Sequence, residues 1–136
     1  MDLKPDNILI NDKTKTLKIS DFGNSKIKNK DKKLDQYFKS GVATWQTMPP
    51  EMIVGQKFGT RADTWALGII LFYLCALKHP FEKGGKVEPI PILTKEVDLS
   101  PIDKDVYSEE TIDFIKRMLI KDSKKRPLLK DLLFEF

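Results

Sequence analysis

The chain has 136 residues, 40% of them hydrophobic, which is enough for one domain with a real core. Its 24 basic and 20 acidic residues leave a net charge of +4, with much of the excess in Lys26-Ile27-Lys28-Asn29-Lys30-Asp31-Lys32-Lys33; no aromatic residues interleave with these lysines, so the run reads as a solvated mobile loop and not as a nucleic-acid or membrane surface. The single cysteine, Cys75, cannot form an internal disulfide, no basic-then-apolar leader opens the chain, and the most apolar stretch, Trp65 to Leu77, is 13 residues where a bilayer span needs about 18; together these favour an intracellular, cytoplasmic setting.

In chain order, Ile8-Leu9-Ile10, the turn-rich Asn11-Asp12-Lys13-Thr14 and the alternating Leu17-Lys18-Ile19 predict a short β-hairpin. After Asp21-Phe22-Gly23 the residues through Ser40-Gly41 have no helical or strand period and predict a long exposed loop. From Thr60, a candidate cap, a helix is expected in which Leu67, Ile70, Leu71 and Leu74 share one face while Trp65, Ile69, Phe72 and Leu77 cover the others, so it should be central and surrounded. Pro89 and Pro91 interrupt the Val87 to Leu93 segment. Ser108-Glu109-Glu110 is a helix start, with Ile112, Ile115 and Leu119 as the inward stripe. Leu128, Leu129, Leu132 and Leu133 predict a terminal helix from Leu128 to Phe136. The sum is a mainly α domain with a small β-hairpin.

Asp2-Leu3-Lys4-Pro5-Asp6-Asn7 matches the latter part of a catalytic-loop pattern, and 19 residues after Asp2 comes Asp21-Phe22-Gly23. Met48-Pro49-Pro50-Glu51, Asp63-Thr64-Trp65-Ala66-Leu67-Gly68, His79-Pro80-Phe81 and the segment Lys121 to Pro127 follow in collinear order. In all of these the chain resembles the C-terminal lobe of eukaryotic-type serine/threonine protein kinases. The resemblance covers residues 1-136 and implies a protein-kinase-like fold with a catalytic loop over 1-7, an activation segment over 21-51 and a helical subdomain over 60-136.

Phosphoryl transfer needs a carboxylate to take the substrate hydroxyl's proton and oxygen ligands for Mg²⁺ against the triphosphate of ATP. Asp2 suits the first role and Asn7 with Asp21 the second, while Lys4 can place a point charge against the transferring group. Asp6 lies outside this pattern and reads as a solvated loop residue. The resemblance further implies a serine/threonine-type acceptor from Lys4-Pro5, a Thr44 that contacts the catalytic residues, and an activating phosphorylation at Ser40. It also implies a buried Glu51–Arg126 ion pair and an Asp63 that braces the catalytic-loop backbone, both structural.

His79, the only histidine, reads as a turn residue, and Cys75 as a small core residue. The 136 residues contain no glycine-rich phosphate loop and no strand lysine that precedes a helix with its paired glutamate, so by themselves they predict an inactive polypeptide that needs an N-terminal lobe or a partner to bind ATP. The expected partner in catalysis is a protein with serine or threonine hydroxyls. The competing reading is a non-catalytic lobe that binds proteins through the surface around Ile90 to Val97 and through its uncovered face.

Overall fold

The computed structural model describes residues 3–23 and 45–133. Ser40, Thr44, Asp2 and the lysine run therefore lie outside the described residues, as does all of the loop expected between Gly23 and Gly41.

A 3₁₀ turn, Pro5–Asn7, leads into β1 (Ile8–Asn11), which pairs antiparallel with β2 (Thr16–Ile19) in the register Ile8↔Ile19, Leu9↔Lys18, Ile10↔Leu17. The connection holds its shape through Asn11, whose Oδ1 accepts from the backbone N–H of Lys13 (3.1 Å) and of Thr14 (3.2 Å), while Lys15 takes the left-handed conformation at φ 53°.

A second 3₁₀ turn (Trp45–Thr47) and the short α1 (Pro50–Ile53) precede the long α2 (Arg61–Ala76). Trp65, Ile69 and Phe72 of α2 are buried in the main core with Phe81, Ile92, Ile102, Ile115 and Leu119. On another side of the helix, Ala66 and Ile70 close over Leu3. The helix is central over its first three turns, but Leu74 and Leu77 are exposed, so the expected surrounding fails near its C-terminus. There Leu77 ends it in the left-handed conformation (φ 54°), its N–H donating to the Tyr73 carbonyl at 2.8 Å. Thr60 does not cap the helix: its backbone is itself helical (φ −60°, ψ −20°), so its hydroxyl is turned away from the bond a cap makes.

A small hairpin, β3 (Glu82–Lys83) with β4 (Lys86–Val87), turns through Gly84 and Gly85 at φ 59° and 77°, the pair of positive angles that a two-residue hairpin loop demands. The six-residue α3 (Pro89–Thr94) follows. Both prolines fall in its first turn, where no N–H is needed for the helical ladder, and this is why they shorten the helix without abolishing it. α4 (Glu109–Met118) is capped as its sequence predicts, Ser108 Oγ accepting from the Thr111 N–H, with Glu109 and Glu110 at the positive end of the helix. Ile115, Met118 and Leu119 are its buried residues and Ile112 is half-buried.

The described part of the terminal helix, α5 (Leu129–Leu132), is a single turn with Leu132 buried and Leu133 exposed; residues 134–136 of the expected helix lie outside the described residues. Cys75 is half-buried against the main core. Among the described residues no helix is long and apolar enough to cross a membrane.

α2 and α4 cross closely at Gly68, where an added Cβ would stand 2.8 Å from Met118 Cβ and 3.0 Å from Leu119 Cδ2. Gly68→Ala should therefore force the helices apart and lower stability by about 1–3 kcal/mol, outweighing alanine's better helix propensity. Thermal denaturation checks this, and an unchanged or raised Tm would contradict it.

Candidate active site

The segment from Leu3 to Asn7 is fixed from both sides. Leu3, 5% exposed, inserts between Ala66 and Ile70 of α2 and so anchors the backbone immediately before Lys4. Lys4 is extended (φ −149°, ψ 161°), and its carbonyl accepts from the Asn7 N–H at 3.0 Å to close the 3₁₀ turn. Asn7 is buried, and its carbonyl accepts both the Ser20 N–H (2.8 Å) and the Ser20 hydroxyl (3.3 Å). These bonds extend the β1–β2 register by one step and set Asn7 and Asp21 at the same end of the hairpin. Asp21 is left-handed (φ 56°), and its Oδ1 accepts from the Gly23 N–H at 3.2 Å.

An amide oxygen and an exposed carboxylate held at one hairpin end are hard donors that suit Mg²⁺, which takes few protein ligands and completes its shell with phosphate oxygens and water.

A cavity of about 300 Å³ opens beside Lys4, with Asp6, Gln46, Thr47, Tyr73, His79 and Glu82 among its walls. Asp6 is solvated, as its sequence context suggests, but it also forms part of this rim. His79 goes well beyond a turn residue. It is buried, its Nε2 meets the Gln46 carbonyl at 2.6 Å, and its Nδ1 accepts from the Phe81 N–H at 3.1 Å. Burial pushes its pKa below the ordinary imidazole value, opposed by the Gln46 bond and by the Glu82 charge. The Lys83-Gly84-Gly85-Lys86 signature could have revealed the neighbouring hairpin, but nothing local in the sequence pairs His79 with Gln46, 33 residues away.

Arg126 is fully buried, with every N–H of its guanidinium engaged. Nη1 donates to Glu51 Oε1 (2.8 Å) and to the Arg61 carbonyl (2.9 Å); Nη2 donates to Glu51 Oε2 (3.0 Å) and to the Lys121 carbonyl (3.1 Å); Nε donates to the Ile120 carbonyl (2.8 Å). The guanidinium also lies 5.0 Å over the Trp65 ring. Arg61 Nε donates to the Arg126 carbonyl (2.6 Å) and Thr64 Oγ1 to the Pro127 carbonyl (3.1 Å), which ties the start of α2 to the same strip of chain. Asp63, in the first turn of α2, is half-buried, and desolvation raises its carboxyl pKa.

The family described as "Protein kinase domain" matches residues 1–135, and the chain belongs to that family. It is 35% identical over 128 residues to human serine/threonine-protein kinase Nek10, covering 93% of this chain and 10% of that protein. It is 36% identical over 137 residues to the serine/threonine-protein kinase ksg1 of Schizosaccharomyces pombe (92% of this chain, 22% of that protein). With mitogen-activated protein kinase kinase 2 of Arabidopsis thaliana it shares 33% identity over 138 residues, or 97% of this chain and 37% of that protein. The chain thus spans well under half the length of these relatives.

Replacing Arg126 with methionine strands the buried Glu51 carboxylate and should cost about 3–5 kcal/mol in a denaturant titration, part of it recovered when Glu51→Leu is added. A loss below about 1 kcal/mol for the single variant would show that the pair anchors nothing.

Proposed function

We propose that these residues form the catalytic part of a serine/threonine protein kinase, which transfers the γ-phosphoryl group of ATP to hydroxyls of protein substrates. The observation that carries this reading is the hairpin that brings Asn7 and Asp21 to one end, through the Ser20 bonds to the Asn7 carbonyl, next to the catalytic-loop segment held by Leu3.

In this reading Asp2 accepts the proton of the attacking hydroxyl as the oxygen reaches phosphorus, and Lys4 sets its ammonium against the equatorial oxygens of the transferring group. Asn7 and Asp21 are the Mg²⁺ ligands; the bound ion supplies charge neutralisation along the triphosphate. Thr44 contacts the catalytic residues, Ser40 is a site of activating phosphorylation, and Asp63 braces the loop that carries Asp2 and Lys4. Glu51, held by Arg126, fixes the end of the activation segment.

Ile10, Leu17 and Ile19, which share one face of the hairpin, are exposed, as are Leu9 on the other face and Phe22 beyond its end, more apolar surface than a two-stranded hairpin leaves bare by itself. No glycine-rich phosphate loop, and no strand lysine ahead of a helix that carries a paired glutamate, lies within the 136 residues. The covering lobe that encloses ATP comes from further protein, in the same polypeptide or in a partner. Of the Ile90 to Val97 surface suggested for a purely binding role, Ile92 is in the core and Leu93 and Val97 are half-buried, while Ile90, Thr94, Lys95 and Glu96 are exposed.

In the full protein that carries these residues, Asp2→Asn should lower kcat on dephosphorylated β-casein by about 10²–10⁴-fold with little change in the KM for ATP. Unchanged turnover would remove Asp2 from the chemistry.

A further inference from the structure

We infer that His79 is a positioning residue for the acceptor polypeptide, acting through its bond to the Gln46 carbonyl; the inference rests on the kinase reading above.

The ring is read unambiguously by its partners. Nδ1 faces the Phe81 N–H and must accept, so the proton sits on Nε2 and is donated to Gln46. The ring is also rigidly based. Phe81 is 4% exposed and stacks parallel on Trp65 with centroids 5.9 Å apart, so the histidine is bolted to the same core residue that Arg126 contacts.

What it holds is the 3₁₀ turn Trp45–Thr47, itself closed by the Met48 N–H bond to the Trp45 carbonyl (3.3 Å). Gln46 and Thr47 of that turn form part of the wall of the cavity that Lys4 also lines. The segment from 45 to 51 is thereby fixed at both ends, at Gln46 by His79 and at Glu51 by Arg126. An acceptor chain that presents its hydroxyl near Lys4 has to run along this wall, and a wall displaced by even a fraction of an ångström misaligns the hydroxyl. ATP, placed by Asn7 and Asp21 on the hairpin, does not depend on it.

Two substitutions separate this role from that of a turn-former. In His79→Asn, Oδ1 replaces Nδ1 and can keep the Phe81 N–H bond, but nothing reaches Gln46. In His79→Gln, the amide nitrogen stands near the place of Nε2 and restores the donor. In the full protein, His79→Asn should raise the KM for β-casein about tenfold and leave the KM for ATP unchanged, while His79→Gln stays near the parent value. Amide exchange at Met48 should quicken in His79→Asn and not in His79→Gln.

An unchanged casein KM in His79→Asn, or an equal rise in both KM values, overturns the inference. If the parent itself transfers no phosphate, the kinase reading fails and the acceptor role falls with it. Faster Met48 exchange in His79→Asn would then still establish the His79–Gln46 tie.

Discussion

One guanidinium holds this structure together. Arg126 is buried with all five N–H groups satisfied, and its partners belong to three separated stretches: Glu51 at α1, Arg61 at the start of α2, and Ile120 with Lys121 after α4, with the Trp65 ring of α2 beneath it. A buried charge is tolerable only when its hydrogen bonds are complete, so these segments have little freedom to move independently. A lysine could not substitute, because a point charge with three donors cannot meet a carboxylate bidentately and three carbonyls at once.

From this anchor the site is assembled by stiff intermediates. α2 transmits position in two directions: Ala66 and Ile70 receive Leu3 and so fix the catalytic-loop segment, while Trp65 carries Phe81 and through it His79. The hairpin is less well supported, since only Ile8 packs against the α2 side and most of its other apolar residues face outward. Rigid helical support beneath and an apolar surface above are what a cleft enzyme needs if its nucleotide is to be enclosed between two bodies.

Much of this was legible in the sequence because it is local. Alternation in Leu17-Lys18-Ile19, the Asn11 turn and the Ser108 cap each depend on residues a few positions apart, and each element forms where its pattern lies. The Glu51–Arg126 pairing was visible only through resemblance, for nothing in composition or period links residues 75 positions apart. Where the reading failed, tertiary context had decided the outcome. Thr60 looks like a cap but adopts helical angles, and Leu74 fits an inward stripe that has no partner at its level. His79 is the instructive miss, since a lone histidine in a turn gains its meaning from a carbonyl 33 residues upstream.

Membership of the protein kinase family and the serine/threonine kinases among its relatives agree with the chemistry of the hairpin end, where two hard oxygen donors are held by backbone bonds. The most direct test of this account is Mg²⁺-dependent transfer of labelled γ-phosphate from ATP to serine or threonine by the full protein, with and without Asp21→Asn. The account predicts phosphoserine or phosphothreonine from the parent and almost none from the variant at any Mg²⁺ concentration. Transfer that persists undiminished in Asp21→Asn would contradict it.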